Sequence, residues 1–178
     1  MKLTKTVFKD VFIISHNIFF DRRGYFKEIF KKNLLEEKVS YSFDFCQENV
    51  VKSSLNVLRG MHYQKEPFSQ SKLVSVFKGK ILDIAVDMRK KSNTYGKYFS
   101  IELSEKNHKS IFIPKGFAHG YLTLSEEAIV HYNVDNYYNS EYEDGISYRD
   151  SHLNIDWGVD NTKLIISEKD TNLKDYQW

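Results

Sequence analysis

Short runs of Val, Ile, Phe and Tyr recur along the chain with Gly, Asn or Ser between them, and apolar positions at helical spacing are scarce. Such runs fit pleated strands, so the pattern predicts an all-β fold. Its clearest signal is a hairpin: residues 73–77, a Lys78-Gly79 turn, then residues 80–88, where Leu82, Ile84, Val86 and Met88 alternate with Asp83, Ala85 and Asp87. One face is apolar. The other carries carboxylates that either meet solvent or line the wet interior of a barrel. Helical signal is confined to residues 31–38 and to a short segment near the C-terminus. Pro114 sets a turn between the runs 110–113 and 121–124, and that turn positions His119. The acidic, Tyr-rich residues 136–144 read as a loop. With no repeat or linker, the 178 residues suit one domain.

Composition narrows the partners. With 26 basic and 24 acidic residues interspersed, the net charge is +2, so the chain lacks the basic stripe of a nucleic-acid binder but admits a small anionic ligand. Its one cysteine, Cys46, rules out an internal disulfide and reads as a buried thiol, which suits a reducing cytoplasm. The first residues offer only the brief apolar run 11–14, and no apolar run approaches 18 residues, so neither export nor membrane insertion is expected.

The segment Val57-Leu58-Arg59-Gly60-Met61-His62-Tyr63-Gln64 sets an arginine and a histidine three apart. In an ideal strand they face opposite sides, but Gly60 permits a bulge that turns both toward one cavity. The bland alternative is a hydrogen-bonded histidine at a strand end. A metal is not expected, because Gln64 stands where a His-x-His ligand pair would need its second histidine. Tyr132, after the apolar 128–130, is either a core tyrosine or an inward proton donor. In Ser167-Glu168-Lys169-Asp170 the spacing fits a helix capping box, or a carboxylate that folds back over the site.

Taken in order, several motifs resemble one family. They are Phe20-Asp21-Arg22-Arg23-Gly24-Tyr25-Phe26-Lys27-Glu28, Gln47-Glu48-Asn49, the Arg59–His62 segment, Gln70-Ser71-Lys72-Leu73-Val74, Thr94-Tyr95-Gly96, the segment from Ile113 to Gly120, Tyr137-Tyr138, Asp156-Trp157, and Ser167 to Asp170. The chain resembles the dTDP-4-dehydrorhamnose 3,5-epimerases. That resemblance implies a cupin-like jelly-roll barrel with a few short peripheral helices, no cofactor and no metal. It also implies a homodimer acting on a nucleotide-diphosphate sugar.

The same resemblance implies roles. His62 is the catalytic base, Asp170 its paired carboxylate, and Tyr132 the proton donor on the opposite face of the sugar. Lys72, Arg59 and His119 line the reacting ketone and nearby phosphate. Arg23, Glu28, Gln47, Asn49, Glu143 and Lys169 grip the nucleotide, Tyr138 stacks on it, and Phe26 adds a binding contact. Arg23 or Glu28 serves the partner's site. The chemistry is self-consistent: protons beside a ketone are acidic, a neutral imidazole can remove one, and a phenol can return one from the other side.

The sequence departs from the family pattern at Asn133, where Lys is frequent, at the loop after Tyr138, which lacks a Pro, and at the extra Arg22. These positions leave open a GDP-linked heptose substrate, inversion at C3 alone, a ketoisomerase and a non-catalytic sugar-binding cupin.

Overall fold

The computed structural model describes residues 1–178. The predicted short runs become thirteen strands. In chain order they are β1 (Lys2–Lys5), β2 (Phe12–Ser15), β3 (Ile18–Asp21), β4 (Gly24–Lys27), β5 (Gln47–Ser54), β6 (Leu58–Gln64), β7 (Lys72–Lys78), β8 (Lys80–Asp87), β9 (Tyr98–Ser104), β10 (Lys109–Ile113), β11 (Phe117–Thr123), β12 (Glu127–Val134) and β13 (Glu143–Gly145). Two short helices, α1 (Lys32–Glu36) and α2 (Glu168–Thr171), lie near the positions that the pattern suggested.

The strands form a six-stranded sheet in the order β1-β2-β10-β7-β12-β5 and a five-stranded sheet in the order β13-β6-β11-β8-β9, while β3 and β4 form a separate hairpin. Val74 and Val130 from the first sheet pack with Ile81, Ala85, Leu103 and Tyr121 from the second, so the central core lies between the sheets. Each outer face is also covered. Leu35, Val39 and Phe43, in and after α1, lie on Phe12, Leu73 and Phe112; the C-terminal Ile146, Tyr148, Leu153 and Trp157 lie on Leu58, Ile84 and Val86. This is the expected jelly-roll sandwich with peripheral helices. No helix is long and apolar enough to cross a membrane.

Four expectations need correction. Residues 73–88 are not a hairpin: β7 pairs with β10 and β12, whereas β8 pairs with β9 and β11. At Gly79 (φ +75°) the chain turns the corner between sheets, so close to Glu127 that a Cβ would meet its carbonyl oxygen at 2.0 Å. Alternation is identical on the two sides of a hairpin and of such a corner, so it could not choose. Cys46 is exposed, because Phe43 and Phe45 take the inward positions beside α1. His119 sits inside β11 instead of following from the turn, and Glu143, expected in a loop, opens β13 on the edge of β6.

The ambiguity over the carboxylate face of β8 is resolved. Its apolar Ile84 and Val86 pack beneath the C-terminal segment, and its other face, with Asp83 and Asp87 both fully buried, looks into the sandwich. Asp87 is neutralised there by Arg89, Ser92 and Thr94.

Candidate active site

The bulge predicted at Gly60 exists. Along β11 only Gly120 separates His119 from Tyr121, yet their partners on β6, His62 and Arg59, are separated by both Gly60 and Met61. Gly60 has φ +116°, and a Cβ there would lie 2.6 Å from the Gly120 Cα and 2.8 Å from the His119 carbonyl oxygen. Only glycine fits. The extra residue reverses the normal alternation, and Arg59 and His62 consequently line the same cavity, of about 280 Å³.

That cavity opens between the two sheets. His62 and His119 reach it from the five-stranded sheet, Lys72 and Tyr132 from the six-stranded sheet, and Lys169 and Asp170 from α2. A contiguous hollow of about 260 Å³ shares His62, Lys72 and Tyr132, and extends to Gln47, Asn49, Tyr138 and Glu143. The imidazole of His62 and the phenol of Tyr132 therefore border one space from opposing walls.

His62 Nε2 lies 2.8 Å from Asp170 Oδ1. Asp170 Oδ2 accepts from the backbone N–H of Gly60 at 3.0 Å, and Ser167 Oγ accepts from the Asp170 N–H at 3.1 Å. Ser167 thus caps α2 with its hydroxyl, but the carboxylate does not return to the Ser167 N–H to complete a capping box; it folds back onto the site. Burial pushes the Asp170 carboxyl up, but the hydrogen bonds from His62 and Gly60 outweigh it and hold it below the usual carboxylate range. An ionised Asp170 accepts the Nε2 proton of His62. This leaves the Nδ1 lone pair free to act as a base.

Tyr132 packs its ring against the central core and makes none of the structure's side-chain hydrogen bonds. Burial raises its pKa, Arg59 pulls it down and Glu143 pushes it up, with a net rise, so the phenol stays protonated at neutral pH. Lys72 is enclosed deeply enough that desolvation lowers its pKa to about 8, against the opposing pull of Asp83 and Glu143. Arg59 Nε donates to Ser53 Oγ at 3.0 Å, which anchors the guanidinium on the cavity wall. At the second hollow, Tyr138 donates its hydroxyl to Glu143 at 2.7 Å and its N–H to Gln47 at 3.1 Å, while Lys169 bridges to Glu143. Burial works against ionisation of Glu143, but the hydrogen bonds from Lys169 and Tyr138 prevail and lower its pKa.

Not every expected residue arrives. Arg23, Phe26 and Glu28 line neither hollow: Arg23 pairs with Asp21 at the exposed tip of the β3–β4 hairpin, Phe26 is exposed, and Glu28 pairs with Lys31. Asn133 also lies off the cavity and donates to Glu48 at 2.7 Å, so that departure from the family pattern does not alter the cavity wall. Sequence reasoning missed Asp83, Tyr121, Ser53 and Gln70. Asp83 was detectable, since it lies on the polar face of an alternating strand; the others carry no local signal. No group of three or more His, Cys, Asp or Glu side chains is placed to hold a metal ion.

Fold and cavity together define a cupin-like protein with titratable side chains facing one another across one pocket. Comparison with known proteins narrows this class. The family model described as dTDP-4-dehydrorhamnose 3,5-epimerase matches residues 5–177. The chain belongs to that family and is an epimerase. The dTDP-4-dehydrorhamnose 3,5-epimerase of Shigella flexneri is 44% identical over 172 residues, covering 97% of this chain and 94% of that protein. A crystal structure of the enzyme from Elizabethkingia anophelis superposes with a TM-score of 0.94 at 45% identity, over 99% of this chain and 96% of the other. The Legionella pneumophila epimerase in complex with dTDP-4-keto-L-rhamnose superposes with a TM-score of 0.92 at 39% identity, over 98% and 92% of the two chains.

Proposed function

We propose that this chain inverts C3 and C5 of a dTDP-linked 4-keto-6-deoxy sugar by removing and returning protons beside the ketone. The observation that carries the reading is the placement of His62 and Tyr132 on opposing walls of one cavity. His62 Nδ1 takes the proton from the carbon, and its electron pair moves onto the ketone oxygen to give an enolate. At C5, Tyr132 then gives its proton to the opposite face of the carbon; at C3 that proton comes from solvent, and exchange with solvent restores His62 and Tyr132 between the two inversions. Lys72, Arg59 and His119 oppose the negative oxygen and the phosphates, which is electrostatic stabilisation by donors already in place. Gln47, Asn49, Tyr138, Glu143 and Lys169 hold the nucleotide in the adjoining hollow. This chemistry calls on no cofactor.

We further infer that residues 1–178 act as one domain within a homodimer. Phe19, Phe20, Tyr25 and Phe26 leave the β3–β4 hairpin apolar and exposed, and its Arg23 and Glu28 cannot serve their own cavity. Pairing two chains through that hairpin would bring these residues to the partner's nucleotide. The nucleotide base is tested by a thermal-shift comparison of dTDP and GDP. Ligand at 100 times its Kd adds about 2.7 kcal/mol of stability, and dTDP is expected to give the shift; a shift with GDP alone would move the substrate to a GDP-linked heptose.

Tyr132→Phe keeps the ring but removes its proton. It is expected to cut formation of the doubly inverted product by ~10²-fold or more, so that a sugar inverted at C3 alone accumulates. NMR of the product checks this, and an unchanged ratio of products would remove Tyr132 from the donor role.

Lys72 makes the reaction pH-dependent. Because its pKa falls to about 8, the charged form fades as pH rises through that value. The pH profile of kcat/KM, which reports the free enzyme, is expected to have an alkaline limb near pH 8 that disappears in Lys72→Arg. The stability effect has the opposite sign: between about 8 and the ordinary value of 10.5 the unfolded chain binds a proton that the folded chain does not, so this group's contribution improves as pH rises.

A further inference from the structure

Asp83, at the centre of β8, is fully buried, and the mechanism above gives it no part. Its Oδ2 lies 2.8 Å from His119 Nε2. Its Oδ1 is buried with no hydrogen-bond partner. A buried carboxylate oxygen left unpaired is costly, and such a group persists when its charge serves a neighbour. Across the sandwich from β8 stands Lys72, on β7 of the other sheet, an enclosed cation that appears in none of the structure's ion pairs and feels Asp83 and Glu143 only through space. The other titratable or charged groups around Lys72 are Arg59, His62 and Tyr63 from β6, His119 and Tyr121 from β11, Tyr132 from β12, Lys169 and Asp170 from α2, and Tyr138 before β13; the Asp170 carboxylate is taken up by His62 and the Gly60 N–H.

We propose that Asp83 is a positioning residue of the reaction: it turns the Nδ1 of His119 toward the substrate and supplies the fixed negative charge that keeps a cation at Lys72. The first half follows from the ring contact. With Nε2 held by the carboxylate, Nδ1 is the nitrogen left to meet a ligand. The second half follows from charge balance, since a lysine taken out of water on the cavity wall stays an ammonium only against a nearby anion. Asp83 provides that anion without blocking the cavity, because it approaches from within the protein. The inference rests on the reading of this cavity as the epimerase site.

Its test separates the two. In substrate-free protein carrying ¹⁵N-lysine, the Lys72 ammonium is followed by NMR through its titration. Asp83→Asn is expected to lower the midpoint by about one pH unit and to move the alkaline limb of kcat/KM by the same amount, while Asp83→Glu restores both. A Lys72 midpoint that stays in place in Asp83→Asn would overturn the proposal. Should Asp83→Asn fail to fold, Lys72→Met gives the reciprocal measurement: the Asp83 carboxyl, followed by ¹³C NMR, is expected to titrate at higher pH than in the wild type. No change there would overturn the proposal as well. The Lys72 titration uses no substrate, so its shift stands even if no nucleotide sugar is epimerised, in which case only the assigned reaction fails.

Discussion

Replacing His62 with Ala is expected to lower kcat by ~10²- to 10⁴-fold, about 3–5 kcal/mol of barrier, while the protein folds and binds dTDP much as before. The imidazole is partly exposed and belongs to none of the three apolar cores, so its removal opens space without stripping packing. What is lost is the base assigned to the carbon, an imidazole on the wall opposite Tyr132 whose Nε2 is fixed by an ionised carboxylate. Steady-state kinetics with a parallel dTDP titration check the result. A variant with weakened dTDP binding and undiminished kcat would assign His62 to binding instead.

Asp170→Asn is expected to have the second-largest effect, and it reaches stability as well as rate. The carboxylate accepts from His62 and from the Gly60 N–H, and an amide of the same shape can satisfy only part of that set. If its NH₂ turns to His62, the imidazole is left with its proton on Nδ1, the nitrogen that must act as base. A loss in kcat of about 10²-fold or more is expected. Because Asp170 titrates below its unfolded value, the stability it confers is present above pH about 4 and is lost as pH falls through the folded pKa. Acid unfolding of Asp170→Asn should therefore be less steep than that of the wild type. Superimposable acid transitions for the two proteins would show that the contact between α2 and β6 contributes little.

Much of this site was legible because its parts obey local rules. Glycine between an arginine and a histidine signals a bulge, and the bulge is what puts Arg59 and His62 on one wall. Ser167 and Asp170 carry a capping spacing whose carboxylate had one further place to go. Where the reading failed, the deciding interaction lay beyond the local pattern. Alternation in residues 73–88 identified two strands, but whether Gly79 joins neighbours or opposite sheets depends on Glu127, nearly fifty positions away in the chain by the numbering. The alternation left the carboxylates of β8 facing either solvent or the interior. They are buried because His119, from β11, meets Asp83, while Arg89, two residues further along, meets Asp87. The hairpin residues Arg23, Phe26 and Glu28 lie outside the cavity of their own chain, and no pattern within a single chain reveals what an exposed apolar hairpin packs against.

Proton exchange at carbon, carried out between two opposed side chains, is most directly tested by incubating the protein with dTDP-4-keto-6-deoxyglucose in deuterium oxide and following the sugar by NMR. Deuterium is expected at both C3 and C5 with the wild type and at neither carbon with His62→Ala. Wild-type protein that leaves both positions protonated, with this sugar and with its GDP-linked counterparts alike, would contradict the proposed chemistry.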